Sequence, residues 1–388
     1  MLNVLAALAL AAVPQDAPTR PTASTQGSAA PKVDADGVRT YVTRGVRWLR
    51  ESQHENGSWG SGAIDSVQFI GFSPETYYCF QVGANGLGLL ALLSVERTAE
   101  VDAAAQKSFE WLSTTRVPKR GSDWDVDYAW AALYGFQAMF AAHNDERFDE
   151  SQRARAKERG LEYFEILARI QEPKGGWGYY EGPVVSERPT WSTSFATANA
   201  VPALVAAARA GWPIDGEVVA RAVKYVKQCR LPNGAYSYDL RPIPRIRGES
   251  IDNPKGSLGR IQVCNWALRR AGENTITDET IREGLEVFFD EHRFLDVARM
   301  RPVPHEAYYA NAAYFYLFAH CYAAQVINEL PEAERAGWHK RLRAHLAKVQ
   351  WDDGSSIDFP NMSCMRTAGT AFSILAYQAG LPGAKRTL

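Results

Sequence analysis

The stretch Trp48-Leu-Arg-Glu-Ser-Gln53-His-Glu-Asn-Gly57-Ser-Trp59-Gly60 decides how the rest of the chain is read. A helical pattern ends in Gln, passes through a polar turn containing Gly, and resumes on an aromatic. The same sentence returns as Gln171-Glu-Pro-Lys-Gly175-Gly-Trp177, as Gln228-Cys-Arg-Leu-Pro-Asn-Gly234-Ala-Tyr236 and as Gln350-Trp-Asp-Asp-Gly354-Ser-Ser356. Successive Gln residues lie 118, 57 and 122 positions apart, so two steps are about twice the third. A period near 60 then predicts degenerate copies around residues 112 and 289. Phe109-Glu-Trp111-Leu112 leads there to Gly121 and Trp124, and Val287-Phe288-Phe289 leads to His292 and Phe294. Six units result.

Each unit carries two helical patterns. The one before the Gln is amphipathic: Val42, Val46, Leu49; Leu161, Phe164, Leu167, Ile170; Val219, Val223, Val226; Trp338, Leu342, Leu346, Val349. Spacings of three and four with charges opposite mark one buried stripe and one wet face. The second pattern follows the turn and is apolar nearly all round. Its expected places are residues 75–94, 125–142, 191–209, 257–271, 305–328 and 364–380. Such helices must be enclosed by others or face an apolar cavity. Six buried helices inside six amphipathic ones give an all-α fold, an (α/α)6 toroid over residues 38–384. Closure is needed because an open stack requires polar capping repeats, and neither terminal unit is polar. In each turn the Gly supplies a left-handed residue that stops the outer helix, the Gln amide satisfies free carbonyls, and the Trp packs across the seam. Gln53, Trp59, Gln171, Trp177 and Gln350 are therefore read as structural.

The 388 residues carry 43 basic and 44 acidic side chains, which argues against general attraction to nucleic acid or anionic membrane. No apolar run is long enough for a transmembrane span. Leu2 to Val13 has the length of a secretory h-region, although no Lys or Arg precedes it. Residues 1–17 are read as a signal peptide of an exported protein, and 18–37 as a disordered linker rich in Ala, Ser, Thr and Pro. Five cysteines (Cys79, Cys229, Cys264, Cys321, Cys364) show neither paired nor zinc-finger spacing, and are read as buried thiols.

The turns resemble the repeat, often called the QW motif, shared by terpenoid cyclases and protein prenyltransferases. WLRESQHENGSWG (48–60) and ILARIQEPKGGWG (166–178) carry the resemblance, and GTAFSILAYQAG (369–380) looks like the inner helix of the same repeat. It covers about residues 38–382 and implies the toroid without fixing a reaction, since squalene–hopene cyclases, prenyltransferase β-subunits and thioester domains all share it. Class II cyclases carry an Asp-x-Asp-Asp run whose middle Asp is the proton donor. Asp125-Val126-Asp127-Tyr128 matches its first two acids, which would make Asp127 the acid with Asp125 beside it, while Tyr128 replaces the third. Alternatively, Asp123 or Asp125 caps the helix, whose first turn favours acids. The prenyltransferase Asp-x-Cys zinc pattern and the thioester Cys-Gly-Glu-Gln run are absent. His305 and Cys364 fall at expected inner-helix starts, but no metal and no cofactor is assigned.

In a closed ring the inner-helix N-termini gather at one rim, which favours acids or an anionic ligand there. Glu75, Asp125, Asp127, Thr193, Arg260, His305, Glu306, Cys364 and Arg366 are expected at that rim. A substrate pocket is expected to use Tyr77, Tyr78, Trp191, His305, Tyr308, Tyr309, Phe315 and Arg366. Residues 305–322 are rich in Tyr and Phe, and aromatic faces stabilise carbocations as well as filling cores. Two functions stay open. One is an isoprenoid-type enzyme, or binder of another long apolar ligand, with Asp127 as acid; the other is a non-catalytic exported scaffold whose rim binds a peptide, glycan or partner protein.

Overall fold

The structure, a computed structural model, describes residues 33–66, 72–118, 128–178, 189, 191–240 and 250–381. The segment read as a signal peptide lies outside these residues. The outer helices are α1 (Ala35–Glu51), α3 (Ala99–Thr114), α5 (Glu150–Ile170), α7 (Gly216–Cys229), α9 (Asp278–Asp290) and α12 (Glu332–Leu346). The inner ones are α2 (Pro74–Ser94), α4 (Tyr128–His143), α6 (Ser194–Arg209), α8 (Leu258–Ala271), α11 (Phe315–Ile327) and α13 (Ser363–Ala379). A short α10 (Arg293–Ala298) takes the place of the fifth turn. No helix among the described residues is long and apolar enough to cross a membrane.

Packing runs α2 on α4, α4 on α6, α6 on α8, α8 on α11, α11 on α13, and α13 back on α2, which closes the inner ring. Every residue of α2 from Cys79 to Ser94 is buried, whereas α1 buries one stripe through Val38, Val42, Val46 and Leu49. On α7 the stripe is rotated from the expected one. Val218, Ala222, Tyr225 and Cys229 share it with Val226, and Val219 and Val223 lie at its margin. Helix α1 also starts at Ala35, inside the stretch read as linker.

Three turns join neighbouring repeats by one device. The Gln53 amide donates to the Gly57 carbonyl of its own turn and to Ala104 O of the next outer helix, both at 3.0 Å. Gln171 does the same to Gly175 O and Val218 O, and Gln350 to Gly354 O and Tyr41 O. The last bond seals unit six to unit one, reinforced by Arg44, whose guanidinium donates to Trp351 O and Asp352 O at 2.9 Å. In the fourth turn the equivalent residue is Arg230 rather than Gln228. Arg230 pairs with Tyr236 as Gln350 pairs with Ser356, and Gln228 is exposed on the last turn of α7. From Gln53 to Gln171, Arg230 and Gln350 the steps become 118, 59 and 120, a cleaner period than the Gln residues alone give.

Trp59 and Trp177 are fully buried. Their indole N–H groups donate to Leu49 O and Leu167 O in the outer helices. Their backbone N–H groups reach Asn85 and Thr197 on the inner helices at 2.9 Å. Each Trp thus spans both layers of its repeat.

Gly57 has φ +90° and faces the Lys107 carbonyl of α3 so closely that a Cβ would overlap it. Gly234, at φ +80°, has no atom within 4 Å of its Cβ position. Gly57→Ala should therefore destabilise by more than about 2 kcal/mol. Gly234→Ala should cost only the left-handed backbone term of about 1–2 kcal/mol. Equal shifts of the urea midpoint in the two variants would show that the joint is not tightly packed.

Candidate functional site

Inner helices apolar all round leave little polar surface at the ring's centre, and the cavity there reflects this. N-terminal parts of α2, α4, α6, α11 and α13 enclose a volume of about 290 Å³. Phe80, Trp130, Tyr134, Phe195, Phe315, Phe318 and Phe372 project from these helices, and Phe72, Phe359, Met362 and Tyr314 come from the connections. Phe195 meets Phe315 edge-on at 5.0 Å and Phe318 at 5.9 Å, packing that presents ring faces and edges of mixed polarity. Deeper in, the Asn199 amide donates to the Tyr134 hydroxyl at 2.8 Å. Its carbonyl accepts from Tyr322 at 2.6 Å and from Gln137 at 3.0 Å. This buried knot links α4, α6 and α11 across the ring beneath the cavity.

His305 and Asp358 are the ionisable His and acid on the described wall. Asp358 lies in the connection after the sixth turn, yet its carboxylate accepts the Leu317 N–H at 2.7 Å and so caps α11 from a distance. Burial dominates its chemistry and raises its pKa to about 7, against the lowering effects of that hydrogen bond and, more weakly, Arg299. Asp358 is thus a carboxyl poised between its two forms at neutral pH inside an aromatic cavity. His305 sits at φ +62° in a segment that also holds Met300, Tyr309 and Ala310 at positive φ. Its Nδ1 faces Ala310 O at 2.7 Å, and a carbonyl only accepts, so Nδ1 carries hydrogen. Nε2 meets the Tyr314 hydroxyl at 2.9 Å. The imidazole thereby braces a strained strap that ends where α11 begins.

Of the residues expected to bind substrate, His305 and Phe315 are on the wall. The other six are not among the described wall residues, and the reading of helix five is corrected. Residues 305–314 are not helical continuations of α11; they hold a 3₁₀ turn over Tyr308–Ala310, so the sevenfold spacing from Tyr308 to Phe315 defines no common face. Tyr308 is 59% exposed. Tyr309 packs edge-on to Phe294 at 4.9 Å. Tyr77 directs its hydroxyl to Ser66 O, and Tyr78 lies against Trp111 of α3. Trp191 packs on Tyr238. Arg366 turns outward to the sixth joint, pairing with Asp353 and lying between the Trp48 and Trp351 rings at 5.3 and 4.7 Å. Arg260, also expected at the rim, is buried and donates to Tyr236 O and Ile251 O. Asp125 and Asp127 lie outside the described residues. Asp358 escaped the sequence reading because its partner is 41 residues away; an acid inside the run Ile357-Asp358-Phe359 was the available signal.

No family model matches the chain. A squalene–hopene cyclase of Bradyrhizobium diazoefficiens is 24% identical over 226 residues, 54% of this chain; the chain spans only 32% of that relative's length. Among solved structures, an α-1,6-mannanase of Salegentibacter superposes with a TM-score of 0.55 at 11% identity, covering 88% of this chain and 99% of the other. A type II terpene cyclase from Scytonema, in complex with geranylgeranyl dihydroxybenzoate, covers 90% and 99% at TM-score 0.48 and 14% identity. The fold is a terpenoid cyclase-like α/α toroid. A likeness of fold at this identity names no reaction, so what the chain does must be argued from its cavity.

Proposed function

We propose that this terpenoid cyclase-like toroid holds a long apolar molecule of isoprenoid type in its central cavity. The chemistry of the described wall carries the reading. It is built mainly from aromatic rings, small and aliphatic residues and two methionines, Met362 and Met365. The Tyr134 and Tyr314 hydroxyls meet Asn199 and His305, and His305 and Asp358 are its imidazole and carboxyl. A glycan would need a wall rich in hydrogen-bonding groups, because each hydroxyl buried without a partner costs about 1–3 kcal/mol. An isoprenoid chain has none to satisfy. The volume stands at the small end of ligand cavities, roughly 300–1,000 Å³.

Asp358 gives the cavity one position suited to a polar head. In its protonated form it donates to a hydroxyl or carbonyl oxygen, and as carboxylate it accepts. A carboxyl with a pKa near 7 is well matched to proton exchange with oxygen at neutral pH. The same elevation makes it a weak acid towards an alkene, so the cyclase-type step, if catalysed, falls to Asp127.

A fluorescent geranylgeranyl analogue titrated into the protein should bind one-to-one and quench the tryptophan emission of Trp130. Ala368 lines the wall, and Ala368→Phe should fill the space and weaken binding by at least about tenfold, one lost contact of 1.4 kcal/mol. Equal affinity in the variant would place the ligand elsewhere and sink this reading.

A further inference from the structure

The degenerate fifth turn gathers chemistry that the central cavity does not use. His292 precedes α10, Asp296 lies within it, His320 is on α11 and His345 is on α12. His292 Nδ1 is 2.9 Å from the Asp296 carboxylate, and His292 Nε2 is 3.0 Å from His320 Nε2. The His345 ring lies against His292 at a tilt of 34°, with centroids 3.6 Å apart. One nitrogen of each of His292 and His345 and one Asp296 oxygen lie within 4.8 Å of one another.

Hydrogen bookkeeping fixes what this cluster needs. His320 Nδ1 is 2.7 Å from Tyr316 O, which only accepts, so Nδ1 bears the hydrogen. With its hydrogen on Nδ1, the buried His320 presents the Nε2 lone pair, and the short contact requires His292 Nε2–H to donate to it. That leaves the His292 Nδ1 lone pair facing a carboxylate. Two lone pairs at 2.9 Å repel, so a positive charge belongs between them. We propose that His292 Nδ1, Asp296 and His345 bind a divalent transition-metal ion of the zinc class.

Three features support a metal rather than a lone proton. Two imidazoles and a carboxylate form a donor set that suits zinc and its neighbours, with a fourth position left for water. In tetrahedral coordination with bonds of about 2.0–2.1 Å, ligand atoms stand roughly 3.3 Å apart. The His292–Asp296 separation is near that value, and the half-buried His345 ring needs only a small swing. The relay from His292 through His320 to the Tyr316 carbonyl is the outer-shell arrangement that fixes a ligating histidine's tautomer. Asp296 is half exposed, so an ion reaches the site from solvent. The site clamps α10 to α11 and α12 where a regular turn is missing.

The chelator-treated full chain, titrated with zinc against a chromophoric competitor, should take up one equivalent. Cobalt in its place should give the visible d–d band of a tetrahedral ion. Asp296→Asn and His345→Ala, both at accessible positions, should each weaken zinc binding by about 100-fold or more while circular dichroism stays unchanged. The cobalt band should disappear in both variants. Failure of the wild type to bind zinc at ~100 μM, or retention of full affinity by both variants, would overturn the site and leave a protonated His292–Asp296 pair. Should His345→Ala unfold, Asp296→Asn alone decides by the same measure.

Discussion

Asp358→Asn should make the protein more resistant to urea at pH 8 while leaving it almost unchanged at pH 4. The folded pKa of Asp358 is raised to about 7, against roughly 3.9 for an unfolded Asp. A raised folded value means that the fold prefers the protonated form. The associated stability is fully present below about pH 4 and is lost as pH rises through 7. Three pKa units correspond to about 4 kcal/mol at most. Asn keeps the shape and an acceptor for Leu317 N–H but cannot ionise, so the wild type should fall behind the variant across that window. His320 and His339 are buried and pushed down, and they titrate in both proteins, so they cancel in the difference. Parallel stability profiles from pH 4 to 8 would show that the carboxyl is hydrated and that its burial does not govern the cavity.

Removing an indole from a joint should be about as costly. Trp59→Ala and Trp177→Ala are each expected to destabilise by roughly 3–5 kcal/mol, the usual range for a buried Trp. Both side chains are completely enclosed, and each carries an indole N–H bond at 2.7 or 2.8 Å to an outer helix. Phe at the same positions fills most of the space but leaves Leu49 O or Leu167 O without that donor, so it should recover only part of the loss. Denaturant midpoints within error of the wild type for both Ala variants would contradict the two-layer role.

These joints were legible because their chemistry is local: Gln53 and Gly57 are four residues apart and act on each other. The fourth joint was misread by two residues for a physical reason. Gln and Arg both supply N–H donors, and Arg230 reaches Thr275 O across to the next repeat while Gln228 points to solvent. The start of α11 was misplaced because its cap comes through space. Nothing near Tyr314 announces that Asp358 will hold Leu317. Tyr308 and Tyr309 followed that error, since residues assigned to a helix that has not yet begun acquire a false face. Arg366 and Tyr77 have the composition of a binding site, but their partners, Asp353 and the Ser66 carbonyl, consume their polar groups. The cavity's aromatic character was readable, and its ionisable wall was half readable, through His305 alone.

The Gln350–Tyr41 bond has a bearing on how the protein comes apart. An array of repeats with free ends loses its outermost member at the cost of a single boundary, so it frays, and its melting broadens with length. In this ring the member that comes first in the chain and the member that comes last are held by the same amide-to-carbonyl clasp as Gln53 and Gln171 provide inside. Any repeat that opens must release two neighbours at once. Partial opening is therefore penalised everywhere along the circuit, and the domain's six repeats are driven towards a single cooperative transition despite their modular sequence.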